Sequence, residues 1–308
     1  MAPSAISPTS ATHEVENGPA NGNGLSSQPA GTHLSASPLS NGHALNGNGS
    51  LTSASALANS SADTTLDLIC VGFGPASLAI AIALHDAALS PSPNVLFLEK
   101  QPQFAWHAGM QLPGAKMQIS FLKDLATPRD PRSYFTFLNY LFQKGRLNNF
   151  INLSTFLPSR MEYEDYLRWC ASHFEREGKV GYGMEVEGVR VGERGADGKV
   201  TSWEVTARAS NGNLVRRKAK QVVIAIGGRP VIPNNLQGLK HVHHSSQFAS
   251  NITHIQEREK GRQLRFAVLG SGQSAAEIFN DLSSRFPDAN VKLIIRGASL
   301  RPSDDSPL

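Results

Sequence analysis

The chain has 308 residues, enough for about two domains, with 29 basic and 25 acidic residues and a formal charge of +4. So weak and dispersed a balance argues against nucleic acid, and no run of 18 apolar residues argues for a membrane span. The two cysteines, Cys70 and Cys170, stand far apart with no CxxC, which excludes a redox-active disulfide and a cysteine zinc site and leads us to expect a protein of the reducing cytoplasm.

Residues 1–62 are mainly Ser, Asn, Gly, Ala, Thr and Pro, and contain no Lys or Arg. Such a segment cannot bury enough apolar surface to offset its ordering entropy, so a disordered tail is expected. The missing arginines speak against a transit peptide.

The first ordered unit opens with an apolar strand over 66–71, then Gly72-Phe73-Gly74-Pro75-Ala76-Ser77, an apolar helix over 78–89 and a second strand over 94–98 that ends on Glu99. Strand, glycine turn, helix and strand form a dinucleotide fingerprint, with Ser77 in the third glycine position. Glu99 is placed to accept from ribose hydroxyls. Pro75 sits at the first helical positions, where a missing N–H is harmless.

Residues 104–160 are turn-rich and dense in polar groups set among aromatics, with Trp106, His107, Gln118, Lys123 and Arg129 in one long connection. Connections of that length are usually functional, although a lone His107 or Lys123 is ordinarily a plain surface residue. Periodicity supports a helix over 134–142 and an amphipathic helix over 162–174, whose Tyr163, Tyr166, Trp169 and Phe174 read as core. Residues 180–208 alternate around a turn at 195–198 and predict a small antiparallel sheet inserted in the first unit. The basic cluster Arg216, Arg217, Lys218 and Lys220 reads as a solvated edge before an apolar strand over 221–226 that closes on Gly227 and Gly228.

The second fingerprint spans 265–296. A strand over 266–269 leads into Gly270-Ser271-Gly272-Gln273-Ser274-Ala275, a helix carrying Ala276, Ile278, Phe279 and Leu282, and a strand over 291–295. Backbone N–H groups at such a helix start face a pyrophosphate. Here Arg296 and then Arg301 stand where the first unit has an acid, which favours a 2′-phosphate and hence NADPH over NADH. A tight turn with no ligand is the competing reading. Two fingerprints together, one acidic and one basic, point to FAD in the first and NADPH in the second. The expected fold class is α/β: two dinucleotide-binding (Rossmann-like) units of a flavoprotein, with parallel sheets and an inserted antiparallel segment. The expected domains are the tail (1–62), an FAD-binding domain (63–230), a linker (231–262) and the beginning of an NADPH-binding domain (263–308).

The stretches FAWHAGM (104–110), MQISFLKDL (117–125), FLNYL (137–141) and GSGQSAAE (270–277) resemble the flavin-dependent N-hydroxylating monooxygenases. Within that group they are most similar to the L-ornithine N5-monooxygenases of hydroxamate siderophore biosynthesis. The resemblance implies a two-dinucleotide flavoprotein that uses FAD, NADPH and O2 to hydroxylate the terminal amine of L-ornithine through a C4a-hydroperoxyflavin. It implies FAD held by Gly72, Gly74, Ser77, Glu99, Lys100, Phe104, Trp106 and His107, with Gln118 beside the isoalloxazine and Val186 at the adenine side. It implies NADPH held by Gly270, Ser271, Gly272, Gln273, Ser274 and Arg296. Lys123 would pair the α-carboxylate of ornithine, a substrate chain one methylene longer being misplaced by roughly 1 Å. No side-chain nucleophile and no metal is required, and a homo-oligomer, a tetramer by resemblance, is expected.

The family continues for well over a hundred residues past the position of Leu308, so a C-terminally truncated version is expected, with the second domain and the last segment of the first incomplete. Uncovered apolar faces then predict low solubility or weak FAD retention. A lysine or diamine N-hydroxylase and an inactive nucleotide-binding remnant are the alternatives. A disulfide reductase lacks its CxxC, and a Baeyer–Villiger enzyme its Phe-x-Gly-x3-His, for which 236–248 offers only His244-Ser-Ser-Gln-Phe248.

Overall fold

The computed structural model describes residues 64–259 and 261–301; the expected tail over 1–62 lies outside them. The first unit is β1 (Thr65–Val71), α1 (Pro75–Asp86) and β2 (Val95–Glu99). After a long irregular connection come α2 (Phe137–Gln143), α3 (Leu147–Asn152) and α4 (Arg160–Arg176). Four strands follow: β3 (Val180–Tyr182), β4 (Met184–Val191), β5 (Trp203–Ala209) and β6 (Leu214–Ile224). The chain then forms α5 (Phe248–Arg258), β7 (Arg265–Leu269), α6 (Gln273–Arg285) and β8 (Asn290–Ile294).

Six strands make one sheet in the order β3-β2-β1-β6-β5-β4. The first four run parallel and the last two antiparallel. β2 shows why this sheet needs cover on both sides. Val95 and Phe97 face a core shared with α1 and α4, while Leu96 and Leu98 face Met184, Val205 and Ala207 of the meander. A strand apolar on both faces is the signature of a doubly covered parallel sheet.

The inserted antiparallel segment differs from expectation in two ways. Val180–Tyr182 is a parallel edge strand, all three residues buried beside β2, and the antiparallel strands continue the main sheet instead of forming their own. The continuity comes from β6, whose early residues pair with β5 and whose later residues pair with β1. The solvated reading of the basic cluster holds for Arg216 and Lys220, both exposed, and fails for Arg217. Arg217 is buried within β6, and Lys218 and Lys220 pair with Glu193 and Asp67 at 2.9 and 2.8 Å. Alternation along a strand sends successive residues to opposite faces, which a charge count cannot see.

α4 carries the aromatic core. Ser159 caps it by accepting from Glu162 N–H, the Ser-x-x-Glu start signal, and Tyr163, Tyr166, Cys170 and Phe174 point inward. Tyr166 Oη donates to the Phe135 carbonyl at 2.8 Å and accepts from Leu125 N–H at 3.2 Å. The helix thereby fixes the long connection across its surface. The expected linker over 231–262 holds α5, whose Ile252 packs with Val268, Ile278 and Leu282 of the second unit. There β7 and β8 form a two-stranded parallel sheet against α6.

Candidate nucleotide and substrate site

Both fingerprint helices begin in the same way. Gly74 and Gly272 are their N-caps, extended in backbone conformation and without any side-chain cap bond, whereas Thr136 and Ser159 cap α2 and α4 with their hydroxyls. A Cβ added at Gly74 or Gly272 would meet no protein atom within 4 Å. Neither glycine is therefore demanded by the protein's own packing. Each leaves open space over the free N–H groups of a helix start, a cradle for an anionic ligand.

Gly72 has a different task. Its φ is +90°, and a Cβ there would lie 2.5 Å from the Ala225 carbonyl oxygen, so only glycine lets the loop pass the end of β6. Glu99 then ties this loop from below: Oε2 accepts from Phe73 N–H at 2.8 Å and Oε1 from Gln101 N–H at 2.9 Å. A carboxylate has four lone-pair sites, so two remain for hydroxyls of a ligand. Lys100, beside it, is exposed. Ser77 is fully buried, its Oγ without a hydrogen bond of good geometry but against the Cys70 thiol, which burial pushes up to about 11. Its side chain serves the close packing of helix on strand; only its N–H belongs to the cradle. Val186 lies half-buried in β4 beside a register shift.

In the second unit Gly270 N–H donates to the Ile294 carbonyl at 3.0 Å, and Arg301 N–H to the Ser271 carbonyl at 2.8 Å. The chain after β8 thus folds back over the glycine turn, bringing the segment of Arg296 and Arg301 to it. Among the described residues no carboxylate pairs with either guanidinium.

The long connection is rigidly tied. Met117 N–H donates to the Pro158 carbonyl, Arg160 N–H to Ala115 and Phe121 N–H to Phe156, so 115–121 runs along 156–160. Met117 is buried while its neighbour Gln118 is exposed, as alternation in an extended segment requires. Lys123 ends a short 3-10 turn, Phe121–Lys123, capped by the Ser120 hydroxyl. It is exposed and has no ion pair among the described residues. Behind it Asp124 is buried and accepts from Ala126, Thr127 and Phe137 N–H and from Thr127 Oγ1, at 2.6–2.9 Å. Phe104 is core, edge-on to Phe73. Trp106 stacks tilted on Tyr163 and edge-on to His107. Partial desolvation, then the nearby Arg160 cation, holds the His107 imidazole below its ordinary pKa.

Two contacts join this connection to the chain after β6, and periodicity foretold neither. Arg160 forms a bidentate pair with Glu277 at 2.8 and 2.9 Å and also donates to the Met110 carbonyl. Gln273 Nε2 donates to the same carboxylate at 2.9 Å. Gly109 packs so tightly that a Cβ would lie 1.8 Å from the Ser246 carbonyl oxygen. The sole sequence sign of either was membership of the FAWHAGM and GSGQSAAE blocks. We expect Gly109→Ala to cost about 1–3 kcal/mol through overpacking, and Gly74→Ala less than about 1 kcal/mol as an N-cap change in open space. Urea unfolding of the two variants checks the contrast; equal losses would contradict it.

A profile of the L-lysine 6-monooxygenase/L-ornithine 5-monooxygenase family matches residues 64–308. An L-ornithine N(5)-monooxygenase of Cochliobolus heterostrophus is 54% identical over 260 residues, 80% of this chain and 48% of the relative. One of Emericella nidulans is 52% identical over 254 residues, 78% of this chain and 50% of the relative. The chain therefore spans about half the length of the curated relatives it matches. Among solved structures, the ornithine N-hydroxylase of Kutzneria sp. 744, in a form with reduced FAD, NADP+ and L-ornithine, superposes with a TM-score of 0.71 at 38% identity, over 79% of this chain and 56% of that one.

Proposed function

The chain belongs to the L-lysine 6-monooxygenase/L-ornithine 5-monooxygenase family, and on that premise we propose that it serves NADPH- and FAD-dependent N-hydroxylation of the terminal amine of L-ornithine, the entry to hydroxamate siderophores. The observation that carries the reading is the pair of glycine-capped helix starts, each with open space before it and one tied to a carboxylate, the other flanked by a segment with two arginines. FAD fits the first: anion at the N–H groups of α1, ribose hydroxyls at the spare lone pairs of Glu99. NADPH fits the second, with Arg296 for its 2′-phosphate.

When bound and reduced, the flavin supplies the oxygen-activating chemistry; the chain's residues bind, orient and exclude water. Gln118 would stand beside a bound flavin ring, and Lys123 would hold the substrate carboxylate so that the reach to the far amine is set by chain length. L-ornithine is favoured over L-lysine by the names of the curated relatives. A cytoplasmic homotetramer goes with this reading, supported by two buried, unpaired cysteines and the family resemblance. No described helix is long and apolar enough to cross a membrane.

The test loads the full chain with FAD and follows NADPH oxidation with and without L-ornithine, analysing the product for hydroxylated amine. Hydroxyornithine is expected. Flavin-bound protein that oxidises NADPH yet leaves ornithine unchanged would sink the reading.

A further inference from the structure

Away from both cradles, the carboxy-terminal ends of α1 and α4 meet at a cluster that the proposed reaction does not use. His85, His173 and Glu177 each place one ligand atom within 4.8 Å of the other two. His173 lies in the last turn of α4 and Glu177 caps that helix four residues on, so the two share a face, while His85 comes from α1. The two imidazoles lie edge to face with centroids 5.0 Å apart, braced by Phe135 and Phe174. His173 Nε2 has no solvent contact and no well-aligned hydrogen bond, although Glu177 Oε1 lies 3.1 Å from it. A buried nitrogen in that position calls for a partner.

We propose that His85, His173 and Glu177 bind a divalent transition-metal ion of the zinc type. Two imidazoles and one carboxylate are the donor set such ions prefer. A tetrahedral ion with bonds near 2.1 Å wants its ligands about 3.4 Å apart, and the His85 and Glu177 side chains, each about one-third exposed, have room on the solvent side to close that gap. Three protein ligands leave a fourth position for solvent, and a cavity of about 270 Å3 bordered by His85, Glu177, Ser92 and Lys179 adjoins the cluster. The outer partners are in place. Asp86 Oδ1 lies 3.5 Å from His85 Nδ1 and is itself held by Arg129 at 2.7 Å, and Lys179 Nζ sits 2.8 Å from Glu177 Oε2. Such contacts orient ligands, while the Lys179 cation keeps affinity modest. The cavity borders Val95, at the opposite end of β2 from Glu99, so the ion would staple α1 to α4 without entering the nucleotide cradles.

The test uses the untagged full chain, zinc chloride as probe, and competition with a chromophoric chelator. One equivalent is expected in the parent and in His243→Asn, an exposed imidazole outside the cluster, and none of that equivalent in His173→Gln or His85→Asn. His85→Asn changes a side chain about one-third exposed at the end of α1, and its fold, checked by circular dichroism, keeps the result decisive. X-ray absorption should show two imidazole nitrogens on the ion. Zinc that fails to bind, or binds equally to the His85 and His173 variants, overturns the proposal.

Discussion

Arg160→Ala is expected to lower the unfolding free energy by about 3–5 kcal/mol, the usual cost of breaking a buried ion pair by removing one partner. Both side chains are about seven-eighths covered, so solvent cannot take over from the lost guanidinium. Glu277 would keep the single bond from Gln273, and the Met110 carbonyl would lose a donor. The cost arises from the stranded charge and not from any large net gain of the pair. It follows that Arg160→Leu combined with Glu277→Leu should sit much closer to the parent than Arg160→Ala does. Urea unfolding followed by tryptophan emission measures all three. A double variant as unstable as the single one would show that the guanidinium acts through packing and that the two units are joined by something else.

That pair also marks where reading the sequence stops. The β1–α1–β2 and β7–α6–β8 units were legible because their information is local: an apolar run, a glycine turn and a 3.6-residue stripe lie within one short window. Their endpoints were legible for the same reason, Glu99 closing β2 and Arg296 standing two residues past β8. Arg160 and Glu277 are 117 positions apart, and nothing in either window names the other. α5 lay unread in a presumed linker although Phe248, Ile252 and Ile255 stand at i, i+4 and i+7 and pack in one core, because three apolar positions among His, Gln and Arg make a faint stripe. Arg217 was misplaced because charge marks a surface only on average, and β6 is an interior strand whose residues alternate between faces.

Asp124 illustrates a further kind of information. Its place beside Lys123 was visible, but its role was not. A carboxylate that accepts from four donors on two sides of a turn holds the residues around it and has nothing left for a ligand. The Lys-Asp pair in MQISFLKDL thus divides its labour: the acid is spent on the fold, and the base is spent on nothing the fold needs.

From that division comes the second large effect. Lys123→Ala should leave stability within about 0.5 kcal/mol, as for an exposed side chain without structural partners, yet raise KM for L-ornithine by about 10- to 100-fold. The latter figure is the ~1.5–3 kcal/mol of a hydrogen bond to a charged group, at tenfold per ~1.4 kcal/mol. KM for NADPH should hardly move, because Lys123 lies in a different segment from the second cradle. Steady-state kinetics on the FAD-loaded chain, alongside thermal melts, separates the two roles of a lysine. A parallel rise in both KM values, or a lowered melting temperature, would mean that the side chain props the turn. A rise confined to ornithine would mean that the turn, built by Asp124 and Ser120, exists to hold out a cation.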